Sequence, residues 1–309
     1  MNSLEQTLKQ SYGIKSNHIE SRQGGWAALA YEVSDGKSVY FLKVYEKSRA
    51  STPKLTALID QYSPILVWLE QETDLAGKIP VPLLTKDGNY KCEDKDNIYL
   101  LYKFINGQTI GEDELSEQQI LEFSNIIATL HSYGEEIPVS TKGIIEDFDI
   151  PFLEDLEKVL HRNEIQLPRD LRDLIVIYKQ DVIQRIQDVK ELSIKLKSKQ
   201  LNMSLCHFDL HNWNLMQAKR LMLIDWEGLK IAPVEADIMF LTDKPYFNEF
   251  MSIYKSIHED YTINQDALQF YKIKRNLEDI WEFIEQILFE DIDSEAREEA
   301  LSYLNQLME

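Results

Sequence analysis

Between residues 205 and 241 the chain gathers polar side chains into one short loop and then returns to an apolar pattern. The loop carries imidazole, carboxylate and amide groups at His207, Asp209, His211 and Asn214. Asp225 follows between Ile224 and Trp226. Residues 215–216 and 221–224 are apolar and predict a short β-hairpin. The pattern therefore predicts a polar site held on rigid backbone.

These residue types match what phosphoryl transfer requires of a protein. A carboxylate must lie near the attacking hydroxyl, while an amide and a second carboxylate hold the metal ion. Mg²⁺ prefers oxygen ligands, so Asn214 and Asp225 suit it better than His or Cys would. The predicted hairpin would carry both metal ligands.

The same stretch resembles the catalytic core of the aminoglycoside phosphotransferase family, small-molecule kinases with the protein-kinase-like fold. Asp209 and Asn214 keep the family's five-residue spacing, and Asp225 stands in an Ile-Asp-Trp-Glu metal motif. The resemblance implies that Asp209 accepts the proton of the attacking hydroxyl and that Asn214 and Asp225 bind Mg²⁺. It also implies ATP or GTP as phosphoryl donor, and Asp237 as a brace that accepts backbone hydrogen bonds from the catalytic loop.

Three other interpretations of the loop stay open. His207, Asp209 and His211 alternate as residues on one face of a strand do, which fits a transition-metal site. Cys206 beside His207 suggests nucleophilic catalysis, although strand neighbours point to opposite faces. A structural loop without chemistry is the third interpretation, and it corresponds to a catalytically idle kinase-like binding protein.

Composition and charge limit the class of protein. A hydrophobic fraction of 44% and a charged fraction of 28% are those of a soluble globular chain. The first ten residues are polar and no long apolar run occurs, so we expect a cytoplasmic protein without a membrane partner. Two distant cysteines make a disulfide framework unexpected. The formal charge of −20 disfavours nucleic acid and favours a cationic, amine-bearing substrate.

Strand patterns precede helical patterns along the chain, which predicts an α+β fold with two lobes. We expect a nucleotide-binding N-terminal lobe over residues 1–104, with a small antiparallel sheet. A mostly helical catalytic and substrate-binding lobe would follow over residues 105–309. Predicted strands lie at 18–22, 27–33, 38–45, 79–85 and 98–104, and predicted helices at 4–12, 55–71, 120–133, 151–162, 169–199 and from 246 onward.

The nucleotide would meet several predicted contacts in the first lobe. Gly24 and Gly25 join the first two strands and would let backbone amides approach a phosphate. Trp26 follows them where the family carries small polar residues, so the loop is expected to be short. Leu101 and Tyr102 precede the connection between the lobes, where the base would bind backbone groups.

Lys43 lies between apolar residues of the third predicted strand, a position that usually faces solvent. The resemblance instead implies that Lys43 binds the α- and β-phosphates and pairs with a carboxylate of the following helix. Asp60 and Glu70 of the predicted helix are the candidates for that carboxylate, and Asp60 fits slightly better.

Acidic residues beside the metal motif and on a late helix are candidates for substrate contact. The helix predicted around residues 271–288 has a buried stripe, and acidic side chains fall off it. A solvated acidic face is the simpler interpretation. The candidate contacts are Trp226, Glu227, Glu278, Asp279 and Glu282. An aminoglycoside or aminocyclitol is the expected substrate, with choline, homoserine or a sugar as alternatives.

Overall fold

The computed structural model describes residues 3–22, 28–161 and 167–309. The chain forms two compact units, each built from two segments. The first unit comprises Met1–Ile145 and Met203–Tyr261, and the second comprises Glu146–Asn202 and Thr262–Glu309. These bounds follow contacts within the chain. The predicted division into a nucleotide-binding lobe over residues 1–104 and a catalytic lobe over residues 105–309 stays a prediction.

The first unit begins with a helical segment, then a sheet, and continues through a helix into short strand pairs. Its helices are α1 Ser3–Thr7, continued by a wider turn at Leu8–Tyr12, α2 Thr52–Thr56, α3 Ile59–Glu72, α4 Glu117–Leu130, α7 Glu235–Ile238 and α8 Phe247–Ile257. Its strands are β1 His18–Arg22, β2 Leu29–Ser34, β3 Val39–Glu46, β4 Cys92–Glu93, β5 Asn97–Lys103, β6 Gln108–Thr109, β7 Ser204–Cys206, β8 Leu215–Gln217, β9 Leu221–Leu223 and β10 Lys230–Ala232.

The sheet of the first unit is antiparallel, with strand order β1-β2-β3-β5-β4. Alternate residues of a strand face opposite sides, so β3 divides its side chains between two cores. Leu42 and Val44 pack with Leu8 on one side. Tyr45 belongs to the larger core on the other side, and Lys43 shares that face by its spacing.

One predicted strand and one predicted helix are wrong in part. Residues 79–85 form only a single bridge, between Pro82 and Tyr102, because Pro80 and Pro82 have no N–H to donate to a ladder. The sheet instead takes its edge strand from β4, which was not predicted. The helix predicted over 55–71 is divided into α2 and α3, with the break at Leu58.

The predicted hairpin of the loop region is confirmed. Strands β8 and β9 pair antiparallel, with Leu215 opposite Leu223, and β6 adds to the outer side of β8. Strand β7 precedes this hairpin in the sequence and β10 follows it, and the two strands pair antiparallel. Ser116 caps the N-terminus of helix α4 and forms a reciprocal capping box with Gln119. The hairpin and α4 bury their apolar faces in one core.

The regular secondary structure described in the second unit consists of helices. It contains α5 Phe152–Leu160, α6 Arg169–Lys197, α9 Gln265–Phe289 and α10 Ser294–Met308. Arg185 of α6 donates to the carbonyls of Leu307 and Met308, which satisfies acceptors at the end of α10. The α+β expectation for the chain is thereby confirmed. In the part of the chain that the structure describes, no helix has the length and apolarity needed to cross a membrane.

Candidate active site

Asp237, the residue expected to brace the catalytic loop, accepts hydrogen bonds from that loop. Its carboxylate is fully buried and accepts the backbone N–H groups of His207, at 2.8 Å, and Phe208, at 2.7 Å. His131 Nε2 lies 3.0 Å from the same carboxylate, and His131 Nδ1 lies 3.0 Å from the Tyr254 hydroxyl. A buried carboxylate needs such partners, so the expected bracing role is confirmed.

Asp209 is held within the loop by its two polar neighbours. The Asn214 amide donates to Asp209 Oδ2 at 2.8 Å and to the Asp209 backbone carbonyl at 2.8 Å. His211 Nε2 lies 3.1 Å from the same Oδ2 atom. The Asp209 side chain is 31% exposed, whereas Asn214 is buried. The loop therefore presents an oriented carboxylate at the surface of a rigid support.

The loop and the metal motif are joined by backbone contacts. Ile224 N–H donates to the Asn214 carbonyl at 2.9 Å, and His207 Nε2 donates to the Ile224 carbonyl at 2.8 Å. His207 thus has a structural role in this loop. Asp225 and Phe208 have φ values of 64° and 71°, in the left-handed region that non-glycine residues rarely adopt. Strained backbone of this kind persists where surrounding contacts fix it, often at functional sites.

Lys43 reaches this site from β3. Its ammonium Nζ lies 2.8 Å from Asp225 Oδ1 and 2.6 Å from Glu227 Oε1. The side chain is only 14% exposed, so the solvent-facing interpretation is wrong. Burial lowers the pKa of Lys43, but the carboxylates of Asp225 and Glu227 raise it by more than burial lowers it. The pKa of Lys43 therefore lies well above its ordinary value. Lys43 is therefore charged at every physiological pH.

Neither of the two carboxylates of α3 that were considered as partners of Lys43 pairs with it. Asp60 makes an ion pair with Lys91, with 3.1 Å between Asp60 Oδ2 and Lys91 Nζ. Glu70 accepts the backbone N–H of Gly77 at 2.9 Å. The preference for Asp60 is wrong, because the carboxylate contacts of Lys43 come from Asp225 and Glu227 of the metal motif.

The two residues after Asp225 are held by contacts within the protein, and the substrate contact expected for them stays a prediction. Trp226 is 3% exposed, and its indole N–H donates to the Leu223 carbonyl at 2.9 Å. Its ring packs edge-on against His207. Trp226 is thus a core residue that anchors the motif, since its polar edge and apolar body are both occupied. Glu227 binds Lys43 and accepts the Tyr45 hydroxyl.

The other expected substrate contacts lie on α9, in the second unit. Glu278, Asp279 and Glu282 are half-buried, so a fully solvated acidic face does not describe them. Asp279 makes an ion pair with Arg275 at 2.8 Å. Burial raises the pKa of Asp279 to about 6 against the opposing effect of Arg275. Their contact with substrate stays a prediction.

The predicted nucleotide contacts of the sheet are placed in part. Gly24 and Gly25 lie outside the described residues. Leu101 is fully buried in β5, and its carbonyl accepts the N–H of Leu83 at 2.7 Å. Tyr102 is half-buried on the next position, opposite Phe41 of β3. The roles of these four residues in base and phosphate binding stay predictions.

The alternative sites in the loop find no support in its contacts. Among the described residues, the group of His, Cys and carboxylate side chains that is close enough to share a metal is His131, Cys206 and Asp237. His207 and His211 do not belong to it. Both ring nitrogens of His131 have partners, and the Cys206 sulfur contacts the carbonyls of Ala232 and Pro233. The hydrogen bonds of His131 and Asp237 give this buried group a structural role, the bracing of the loop.

Sequence reasoning missed Tyr45, His131 and the contact between Glu227 and Lys43. Glu227 and Lys43 are 184 positions apart, and His131 and Asp237 are 106 apart. Pairs of that separation leave no periodic pattern in a single sequence. The one available signal was the alternation in β3, which places Tyr45 on the same face as Lys43.

Comparisons with known proteins find a matching family and similar folds. The sequence model described as "Phosphotransferase enzyme family" matches residues 18–272. A spectinomycin phosphotransferase solved with ADP and spectinomycin has a TM-score of 0.72 at 19% identity, covering 98% of this chain and 93% of that one. The sequence run 232–240 already resembled that enzyme. No curated protein matches the chain.

Two further solved structures have the same fold. A microcompartment-associated aminopropanol kinase has a TM-score of 0.64 at 15% identity, covering 99% of this chain and 94% of that one. The choline kinase LicA from Streptococcus pneumoniae has a TM-score of 0.64 at 17% identity, covering 99% and 97%. These likenesses show the fold, and the predicted protein-kinase-like α+β architecture is confirmed.

Proposed function

Because the chain belongs to the phosphotransferase enzyme family and is a small-molecule phosphotransferase, we propose that it transfers a phosphoryl group from ATP or GTP to a hydroxyl of a small cationic molecule. The observation that carries this proposal is the connection of Lys43 to Asp225, beside a loop that fixes Asp209 with Asn214. Each group has the chemical character that one part of phosphoryl transfer requires.

Asp209 orients the acceptor hydroxyl and accepts its proton. Its Oδ2 atom is in contact with Asn214 and His211, which fixes the plane of the carboxylate. A base held in place in advance supplies part of the rate enhancement through positioning. The Asp237 brace keeps the loop backbone in the conformation that this requires.

Mg²⁺ fits the donor set at Asn214 and Asp225. The Asn214 amide nitrogen is committed to Asp209, which leaves the amide oxygen as its metal-binding atom. Asp225 is 37% exposed and supplies a carboxylate oxygen. Hard cations prefer such oxygens, and bound Mg²⁺ neutralises charge on the phosphates. Lys43 adds a second positive charge for the non-transferred phosphates.

We propose an aminoglycoside or aminocyclitol antibiotic as the acceptor, with resistance as the physiological result and the cytoplasm as the location. The support is the net charge of −20, which favours a cation, and the likeness to a spectinomycin phosphotransferase. The likeness to choline and aminopropanol kinases favours smaller amino alcohols as the second candidate class.

The test is release of ADP from ATP, and of GDP from GTP, across a panel of acceptors. The panel contains spectinomycin, aminoglycosides, choline, aminopropanol, homoserine and neutral sugars. We expect acceptor-dependent release with an amine-bearing alcohol, and its loss in Asp209→Asn. Nucleotide binding without transfer to any acceptor would favour the idle binding protein instead.

A further inference from the structure

We propose that Glu227 is a positioning residue that holds Lys43 for the nucleotide, in place of a carboxylate from α3. The inference rests on the proposed function and assigns Glu227 a role other than substrate contact. Glu227 acts through Lys43, so its effect should follow the binding of the phosphates.

The contacts of Glu227 make it the more enclosed of the two carboxylates on Lys43. Its Oε1 atom lies 2.6 Å from Lys43 Nζ, and its side chain is 11% exposed against 37% for Asp225. The Tyr45 hydroxyl donates to the same oxygen. Tyr45 and Lys43 are two positions apart on one face of β3, so the strand brings both donors to one carboxylate.

Helix α3 presents no carboxylate for this purpose. Its acidic residues are Asp60, Glu70 and Glu72, all of which are described. Asp60 and Glu70 have the partners given above, and Glu72 is exposed at the end of the helix. The buried phenol of Tyr62 stands on α3 near the site instead, and burial with the charges of Tyr102 and Glu227 raises its pKa. Lys43 therefore pairs with Asp225 and Glu227 of the metal motif, and not with a carboxylate of α3.

The local backbone explains how one motif serves two purposes. The indole N–H of Trp226 donates to the Leu223 carbonyl and anchors Trp226 in the core. The residue before it, Asp225, has a left-handed backbone conformation that turns the chain. Asp225 and Glu227 can therefore flank a fixed point and both reach Lys43. Asp225 is also the proposed metal ligand, so its charge is shared when the metal binds. Glu227 would keep Lys43 in place at that stage, because its side-chain hydrogen bonds among the described residues are with Lys43 and Tyr45 of β3.

Removing the charge of Glu227 should weaken nucleotide binding while leaving acceptor binding intact. A hydrogen bond to a charged group contributes about 1.5–3 kcal/mol, which corresponds to roughly 10- to 150-fold in affinity. We expect Glu227→Gln to weaken ADP and ATP binding by roughly tenfold or more. Tyr45→Phe removes one donor and no charge, so its effect should be several-fold smaller.

The experiment is calorimetry of ADP and ATP binding to the full chain, with and without Mg²⁺, for wild type and variants. The variants are Lys43→Met, Glu227→Gln, Glu227→Asp, Tyr45→Phe and the double variant Lys43→Met with Glu227→Gln. If Glu227 acts through Lys43, the double variant should bind no more weakly than Lys43→Met alone. Glu227→Asp keeps the charge and should recover part of the loss. Glu46→Gln, on the same strand and paired with Arg49, is the matched control and should match wild type.

Several results would overturn the proposal. Unchanged nucleotide affinity in Glu227→Gln, with a raised acceptor KM, would assign Glu227 to the substrate. A loss seen only with Mg²⁺ present would make Glu227 a metal ligand. If Glu227→Gln fails to fold, unchanged affinity in Tyr45→Phe and Glu227→Asp would count against the role. Wild-type protein that binds no nucleotide would overturn the proposed function and this inference together, whereas the other results overturn this inference alone.

Discussion

Individual side chains at the site owe their positions to contacts that have no catalytic purpose of their own. Asp237 fixes the loop backbone through the N–H groups of His207 and Phe208, and Asn214 fixes the carboxylate of Asp209. Buried polar groups of this kind are costly unless all partners are present. The protein's own hydrogen bonds therefore hold this arrangement, which is what a reaction dependent on positioning needs.

Asp209→Asn should abolish most phosphoryl transfer while leaving nucleotide affinity close to wild type. The amide keeps the volume of the carboxylate but cannot accept the acceptor's proton, and general-base assistance contributes roughly 10²–10⁴-fold. Steady-state kcat and calorimetric nucleotide affinity are the paired measurements. A variant that retains most of the wild-type kcat would remove Asp209 from the role of base.

Asn214→Ala and Asp225→Asn should each weaken Mg²⁺-dependent nucleotide binding more than acceptor binding. Both changes remove or weaken an oxygen ligand of the proposed metal site. Asn214→Ala also releases the Asp209 carboxylate, so its kcat should fall further than its metal affinity alone explains. Titration of nucleotide at several Mg²⁺ concentrations measures the effect. Equal affinities for Mg²⁺-nucleotide in wild type and both variants would contradict the metal assignment.

At the scale of elements, local patterns in the sequence were sufficient for the site's framework but not for its partners. The β8–β9 hairpin was predictable because two apolar runs are separated by polar turn residues. Strand β4 was not predictable, because it is two residues long. Residues 79–85 were wrongly predicted as a strand, because their prolines limit them to a single bridge. The partner of Lys43 was missed because tertiary contact, not spacing, selects Glu227 over Asp60.

Helix α9 should contribute a pH-dependent term to stability through Asp279. Burial raises the pKa of Asp279 to about 6 in the folded chain, above its ordinary value of 3.8. The folded state then binds the proton more tightly than the unfolded state does. This contribution is fully present below the unfolded pKa and is lost as pH rises through the folded pKa. A difference of about two pKa units corresponds to at most about 3 kcal/mol.

Asp279→Asn should therefore remove most of the loss in unfolding free energy between about pH 4 and about pH 6. The amide resembles the neutral carboxyl group, although it gives up the ion pair with Arg275. Urea unfolding followed by circular dichroism across this range measures the difference. Glu299→Gln, at an exposed position on α10, is the control and should leave the pH dependence unchanged. Parallel curves for Asp279→Asn and wild type would contradict the raised pKa.

For the whole molecule, the surplus of 53 acidic over 33 basic residues creates a field that no single pair explains. Such a charge attracts cations towards the protein and repels anions, with an effect mainly on association rate. The phosphoryl donor is itself anionic, so Lys43 and the proposed metal must offset this field locally. The net charge of the chain therefore supports the proposal of a cationic acceptor.

The best acceptor should be a cation at neutral pH, and its kcat/KM should fall as ionic strength rises. Salt screens charges beyond about 8 Å at physiological ionic strength, so attraction across the surface weakens while contacts inside the site persist. The measurement is kcat/KM for a charged acceptor at increasing salt, beside an uncharged alcohol that the enzyme also accepts. The neutral acceptor should show no such fall, which separates steering from effects of salt on nucleotide or metal binding. A neutral or anionic best acceptor, or parallel salt curves for both acceptors, would mean that the acidic surface serves solubility alone.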